Sequence, residues 1–381
     1  MRYRRFPHID DLEVSALGLG CMRLPVIGGD EAAIDEAALD SMLRTAAEQG
    51  INYVDTAYGY HKGRSEPALG AALERTGLRD RFFLATKSPV WLVESSADWD
   101  RLLDEQLARL RTDRIDFYLL HALSGERWDK AARLGAREFL ERARAAGKIR
   151  HLGFSFHDNL AAFKRIVEGF GEWEFCQVQY NYLDRRHQAG DEGLAFAAER
   201  ELGVIVMEPL RGGALARPSR QAREAFFKYP TPRMPAEWAL RFVWDRQEVS
   251  TVLSGMGSAD QILENCAVAE AAGANSLTRD ELAVIDEAAR IYRAKEAVGC
   301  TGCAYCMPCP KGVQIPDVFA HWNSAAMFDA APGSDGWYLQ AIAGAGKGGN
   351  ACVGCGACLP KCPQGIAIPE RLAEAHKRLV G

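Results

Sequence analysis

The sequence predicts an α/β chain in two parts: a closed parallel barrel of eight strand–helix units, then a small cysteine-rich C-terminal domain. Three observations lead there. Eight short apolar runs alternate with helical patterns between about residues 15 and 290. Each run is nearly continuous in apolar residues, as strands buried on both faces must be. Eight of the chain's 11 cysteines fall in two runs, which begin at Cys300 and Cys352.

The expected strands are "ALGLGC" (16–21), "INYVDTA" (51–57), "FFLATK" (82–87), "IDFYLLHA" (115–122), "IRHLGFSF" (149–156), "FCQVQYNY" (175–182), "VIVMEPL" (204–210) and "STVLSGM" (250–256). Between them, "EAALDSMLRTAAEQG" ends in Gly50, a helix C-cap by its position. "DWDRLLDEQLARLR" begins behind Asp98 or the serines before it, which suit an N-cap. "DKAARLGAREFLERARAAGK" and "ADQILENCAVAEAAG" follow the same 3.6-residue period, and each reads as one helix. Eight such units in about 250 residues give a (β/α)8 TIM barrel. An open doubly wound sheet fits less well, because no Gly-rich phosphate loop follows the first strand. The insertion 211–235 is rich in Arg and Pro and reads as a functional loop. Composition changes abruptly at Cys300, which sets a boundary between a domain at 1–294 and a second at 295–381.

Composition narrows the function. Hydrophobic content of 48% and charged content of 25% are ordinary for a globular protein. A net charge of -5 gives no electrostatic case for nucleic acid. No apolar run reaches the roughly 18 residues of a membrane span. The N-terminal "MRYRRFPHIDDLEV" has no apolar stretch behind its basic residues, so no signal peptide is expected. The cytoplasm, where free thiols persist, is the expected compartment.

In such a barrel, chemistry sits where strands end. Asp55 closes the second expected strand, with Tyr60 in the loop beyond it. Lys87 closes the third and His121 the fourth. Here the sequence resembles the aldo-keto reductase family over most of residues 1–292. "DTAYGY", "ATK", "YLLHA" and "GFS" occur in the family's order and spacing. The resemblance implies a catalytic tetrad of Asp55, Tyr60, Lys87 and His121. The chemistry agrees with it. Reducing a carbonyl needs a hydride from a nicotinamide and a proton for the growing alkoxide. A tyrosine of ordinary pKa, about 10, is a poor acid–base group at neutral pH. The Lys87 ammonium is expected to favour the phenolate and bring Tyr60 toward the working range. Asp55 would hold Lys87 charged, and His121 would donate a hydrogen bond to the carbonyl oxygen.

The resemblance also implies coenzyme contacts. Ser155 and Gln177 match the positions that hold the nicotinamide carboxamide, although Phe156 stands where the family usually has Asn. Met207 occupies the place of a stacking tyrosine, and a thioether can cover a ring face with a different geometry. Pro209, Leu210, Arg211 and Gly212 follow it and are candidates for the pyrophosphate. In "SGMGSADQILEN", Gly255 and Ser258 open a helix whose N-terminus suits a phosphate. Gln261, Glu264 and Asn265 would meet the adenosine end. Gln261 stands where many family members have a basic residue for a 2′-phosphate, so either NADP(H) or NAD(H) fits.

The second cysteine run, Cys352-x2-Cys355-x2-Cys358-x3-Cys362-Pro363, is the bacterial ferredoxin spacing for cubane iron–sulfur ligation. A disulfide framework would suit a small secreted domain, which this is not. Zinc, as in a ribbon of C-x2-C pairs, is the remaining alternative, although such pairs are typically farther apart. The first run keeps the spacing at Cys300, Cys303 and Cys306, but Cys309 follows after two residues and not three. The ferredoxin resemblance implies two [4Fe-4S] clusters. Cys300, Cys303, Cys306 and Cys362 would hold one, and Cys352, Cys355, Cys358 and Cys309 the other. "KGVQIPDVF" and "QGIAIPERL" echo each other, so each run leads into a Pro-initiated helix of a ferredoxin-like domain. Cys21, Cys176 and Cys266 lie in barrel elements and read as buried structural thiols.

The expectation is an NAD(P)H-dependent oxidoreductase acting on a small carbonyl or alcohol, with clusters that relay electrons to a protein partner, sense oxidation or stabilise the fold. A second expectation is a nucleotide-binding redox sensor with little turnover. Trp91, Trp128 and the 211–235 insertion are expected to line the substrate pocket.

Overall fold

The protein is described by a computed structural model covering residues 1–7, 9 and 12–381. The chain begins with an antiparallel hairpin, β1 (Tyr3–Arg5) and β2 (Glu13–Ser15). Eight strands then alternate with helices. They are β3 (Leu17–Gly20), β4 (Tyr53–Asp55), β5 (Phe83–Ser88), β6 (Ile115–Leu123), β7 (Ile149–Phe156), β8 (Phe175–Gln179), β9 (Gly203–Met207) and β10 (Val249–Ser254). They close into a parallel barrel in the order β10-β3-β4-β5-β6-β7-β8-β9. All eight expected strands are present, because continuous apolar runs leave a strand no solvent face to show.

The barrel interior is packed, not hollow. Tyr53, Ala85, Phe117, Leu119, Phe175, Ile205 and Leu253 meet inside it, joined from the hairpin by Phe6, Leu12 and Val14. Phe117 sits at the centre, 5.0 Å from the Tyr53 ring, 5.1 Å from Phe175 and 5.4 Å from Phe6. Gly203 makes room for this packing: a Cβ there would stand 2.3 Å from the Phe6 ring.

Along the chain the helices up to residue 271 include α1 (Glu36–Glu48), α2 (Ser65–Thr76), α3 (Ala97–Leu110), α4 (Gly125–Arg133), α5 (Ala136–Ala145), α6 (Leu160–Phe170), α7 (Gly190–Glu199), α8 (Arg220–Phe227), α9 (Pro235–Trp244) and α10 (Ala259–Ala271). Several begin on side-chain caps: Asp35 accepts from Ala38 N, Ser124 from Arg127 N and Asn159 from Ala162 N. Asp98 lies inside the first turn of α3 and accepts from the backbone of Glu94 and Ser95, so it secures the approach to the helix without being its N-cap. The single helix expected over 129–148 is two, α4 and α5. Gly135, at φ 75°, breaks the run that the apolar period carries through. Within the insertion, α8 occupies part of the stretch expected as loop.

The structure divides into two compact units. One comprises 1–216 with 233–282, the other 217–232 with 283–381. The second holds α8, most of α11 (Arg279–Arg293), α12 (Ile315–Met327) and α13 (Ile368–Val380). Pro316 and Pro369 stand in the first turns of α12 and α13, as the two echoing sequences imply. Val313, Ile315, Phe319, Trp322, Tyr338 and Leu372 belong to its core.

Candidate active site and candidate metal centre

The polar side chains of the barrel gather where β4, β5 and β6 end. Strand register sets them side by side: Asp55 pairs with Ala85, and Lys87 with Leu119. Lys87 and Asp55 are 1% and 2% exposed, so neither charge is solvated. Lys87 Nζ donates to both Asp55 oxygens at 2.6 and 2.7 Å and to the Thr56 carbonyl at 2.8 Å. It also reaches the Tyr60 hydroxyl at 3.4 Å. Tyr60 opens a short 3-10 turn in which His61 and Lys62 are both left-handed, at φ 52° and 53°. His61 fixes that turn, its Nε2 accepting from Leu24 N at 3.1 Å and its Nδ1 lying 2.8 Å from the Glu31 carbonyl.

His121 stands in an irregularity of the β6–β7 register between Leu120 and Leu123, and a bulge of this kind re-aims a side chain. Its ring is 6.2 Å from the Tyr60 ring. The backbone beyond it is unusual. Ala122 has φ 53°, its N–H donates to Ser155 Oγ at 2.7 Å, and its carbonyl accepts from Arg127 at 2.7 Å. The structure therefore brings Asp55, Tyr60, Lys87 and His121 together.

Electrostatics differ from expectation at one member. Burial pushes the Tyr60 phenol above an ordinary tyrosine, and Lys87 offsets only part of that, with Asp55 opposing it. The nearby ammonium alone would lower the phenol's pKa, but the lost hydration outweighs it. For Lys87, burial works against the charge, but Asp55 and Tyr60 outweigh it and the ammonium persists. His121 is held well below the usual histidine range, first by burial and then by Lys87, His157 and Arg127. It is a neutral imidazole, and its Nδ1 is buried with no hydrogen-bond partner.

Behind the tetrad lies a layer that the sequence analysis missed. Glu66, fully buried on α2, accepts from Thr86 Oγ1 and Gln106 Nε2, both at 2.7 Å. Gln106 on α3 also donates to the Lys87 carbonyl at 3.0 Å and accepts from Tyr118 at 2.9 Å. The available signal was two polar residues on the inward stripes of α2 and α3. Trp91 also belongs to the tetrad's surroundings, its ring 5.0 Å from that of His121. This agrees with its expected pocket-lining place. Trp128 does not: it is 8% exposed and packs on Trp173 at 6.0 Å.

The candidate coenzyme residues lie on β7 to β10 and the turns beyond. Ser155 and Gln177 are register partners. Gln177 Nε2 contacts Met207 Sδ at 3.7 Å, while its Oε1 is buried without a partner. Such an orphaned acceptor suits the amide N–H of a nicotinamide carboxamide. Pro209, Leu210, Arg211 and Gly212 form the turn after β9, with Arg211 at φ 47° and Gly212 at φ 66°. Arg211 Nε lies 3.7 Å from Asp184. A Cβ on Gly212 would meet Arg23 Nη2 at 3.1 Å, and one on Gly255 would meet the Arg23 side chain at 3.5 Å. Arg23, from the end of β3, thus joins the two turns, although it carries no motif. Ser258 caps α10 through Gln261 N at 3.3 Å, and Gln261 Oε1 accepts from Gly257 N at 2.8 Å. Asn265 is buried and donates to Ser254 at 3.3 Å, while Glu264 is exposed.

In the second unit, six of the eight clustered cysteines pack against the core: Cys300, Cys306, Cys309, Cys352, Cys358 and Cys362. Cys303 and Cys355 are exposed. The two runs repeat each other in backbone as well as sequence. Gly302 and Gly354 have φ 70° and 68°, and Ala304 and Gly356 have φ 60° and 71°. Cys300 lies within electrostatic reach of Cys303 and Cys362. Cys358 is within reach of Cys352, Cys309 and Cys355. A pocket between the runs is lined by Cys306, Cys309, Cys352, Cys355 and Cys358. Among the described residues no three such side chains converge on a single-ion site. A cubane spreads its thiolates over different irons and does not need that convergence. The donor set thus fits iron–sulfur ligation, and Cys309 and Cys362 each lie within electrostatic reach of a cysteine of the opposite run. Cys21, Cys176 and Cys266 are buried, as expected.

Comparison with known proteins bears on both units. Residues 16–290 match the Aldo/keto reductase family, and residues 299–367 match the 4Fe-4S dicluster domain. The chain is 29% identical over 318 residues to the uncharacterized oxidoreductase YqkF of Bacillus subtilis, covering 74% of this chain and 96% of that one. It is 34% identical over 212 residues to the aldo-keto reductase yakc [NADP(+)] of Schizosaccharomyces pombe, covering 53% and 60%. Among solved structures, the holo form of an aldo-keto reductase from Bacillus halodurans superposes with a TM-score of 0.62 at 29% identity, covering 76% of this chain and 96% of that one. The chain belongs to the aldo/keto reductase family of oxidoreductases and carries a C-terminal iron–sulfur domain.

Proposed function

We propose that residues 1–294 form a reductase that adds a hydride and a proton to a small carbonyl compound, giving the alcohol and oxidised nicotinamide, or runs the reverse. The observation that carries this reading is Lys87, buried between Asp55 at 2.6 Å and the Tyr60 hydroxyl at 3.4 Å. A nicotinamide coenzyme, NADP(H) or NAD(H), supplies the hydride when bound. Tyr60 delivers the proton to the carbonyl oxygen, and the Lys87 charge stabilises the phenolate left behind. Asp55 keeps Lys87 protonated and aimed. Neutral His121 donates a hydrogen bond to the same oxygen. Gln177 and Ser155 orient the carboxamide beside Met207. Arg211, Gly212, Gly255, Ser258 and Arg23 serve the phosphates, and Glu264 the adenosine end. Gln261 and Asn265 serve that end with it, each also held by one hydrogen bond within the protein.

Residues 295–381 would hold two [4Fe-4S] clusters, on Cys300, Cys303, Cys306 and Cys362, and on Cys352, Cys355, Cys358 and Cys309. Exposed Cys303 and Cys355 favour exchange of single electrons with a protein partner. A cytoplasmic setting suits these thiols. No helix among the described residues is long and apolar enough to cross a membrane.

The test is anaerobic purification followed by iron and sulfide counts and a coenzyme-oxidation assay on aldehydes. Turnover that falls by about 10²–10⁴ in Tyr60→Phe supports the reductase. Nucleotide binding with no turnover on a broad carbonyl panel favours the sensor instead. Cys309→Ser should lose half the iron if it serves a second cluster.

A further inference from the structure

We propose that Arg127 forms an anion-binding subsite beside the reacting carbonyl, so that the preferred substrates are short oxo acids: aldehydes or ketones that carry a carboxylate. This deepens the carbonyl-reduction reading and rests on it.

A wall of side chains runs outward from Tyr60. The Tyr60 and His121 rings are 6.2 Å apart, those of His121 and Trp91 5.0 Å, and the Arg127 guanidinium is 5.8 Å from the Trp91 ring. Acid, orienting imidazole, indole and guanidinium thus follow one another without a gap. Arg127 sits in the first turn of α4, which Ser124 caps directly after β6. Its Nη1 donates to the Ala122 carbonyl at 2.7 Å. Among the described residues no carboxylate is paired with it. Two acids of neighbouring turns are engaged elsewhere: Asp129 pairs with Arg165 at 2.5 Å, and Asp158 accepts from Gly125 N at 2.8 Å and Asn159 N at 2.7 Å.

The charge balance of the wall points the same way. Lys87 is matched by Asp55. Burial and the neighbouring cations hold His121 and His157 uncharged, His157 at about 4. Arg127 is left as the cation of this wall without a counter-ion. A guanidinium presents a planar fork that fits a carboxylate through two parallel hydrogen bonds. Trp91, 40% exposed, offers a flat apolar face for the carbons between the carboxylate and the carbonyl.

A purely structural role must be separated from this one, because Arg127 also ties down Ala122 next to His121. Losing that tie would slow every substrate alike. The discriminating quantity is therefore the ratio of kcat/KM for 4-oxobutanoate to that for its methyl ester. In the intact protein this ratio should be on the order of ten to a hundred, the range of one charge-assisted pair. It should fall close to one in Arg127→Gln, chiefly through KM, and be partly kept in Arg127→Lys. Calorimetric titration of 4-hydroxybutanoate into the protein with oxidised coenzyme should show the same loss of affinity. A ratio near one in the intact protein, or an unchanged ratio in Arg127→Gln, overturns the subsite and leaves the reductase standing. Reduction of neither compound overturns both.

Discussion

The tetrad and the cysteine runs are assembled by opposite means. Asp55, Lys87 and His121 project from strands of a closed barrel, and Lys87 makes its bonds within the protein alone. Some of the barrel's helices, α1 and α6 among them, start on side-chain caps, here Asp35 and Asn159. The cysteines lie on loops with no regular structure beyond short 3-10 turns, bent through left-handed residues, and α12 and α13 start on prolines without a side-chain cap. One site is held by hydrogen bonds between its own side chains and backbone. The other sits on loops, where bound clusters would supply the cross-links. The lesson is that preorganisation follows from where hydrogen bonds go, not from how many ligating groups are gathered.

The contrast can be broken most directly by stripping the iron. Chelation after oxidation should expose residues 295–381 to protease while 1–282 stays resistant, because structural metal sites supply folding energy outright. Equal resistance in both regions would erase the distinction. Next in size is Lys87→Met, which leaves Asp55 buried without its cation. It should cost about 3–5 kcal/mol in a denaturant titration. A cost near zero would show that the barrel tolerates the unpaired acid.

A smaller effect follows from His121. Its folded pKa lies well below the ordinary 6.5. Unfolded chain therefore binds the proton more readily, and stability rises with pH wherever that holds. The contribution is complete above about pH 6.5 and is lost progressively as pH falls below it. Melting measured from pH 7 to 5 should show this slope, flattened in His121→Asn. The smallest effect tests the loops. Ala304 occupies a left-handed position that its counterpart fills with Gly356. Ala304→Gly should stabilise the cysteine domain by about 1 kcal/mol. No change would mean that Ala304 carries no strain.

Legibility in the sequence tracked the same divide. Eight strands were readable because a two-sided burial requirement leaves only apolar residues, as in "IDFYLL". Asp55, Lys87 and His121 stood out as polar residues closing such runs. What failed to show was anything decided by context. Gly135 breaks a helix whose apolar period runs through it. Glu66 and Gln106 look like ordinary polar helix residues until packing buries them. The Tyr60 shift depended on lost water, and no motif records hydration. Arg23 and Arg127 matter through neighbours far away in sequence.

The opening hairpin has a consequence for kinetics. Phe6, driven in beside Phe117 and Phe175, plugs the end of the barrel opposite the tetrad. The interior is filled, so ligands meet the barrel at the tetrad's end. Whatever lies deeper in that mouth has to arrive first and leave last, so two ligands that share it are committed to a queue. Compulsory order, readable in product-inhibition patterns, would then trace back to a phenylalanine that touches neither of them.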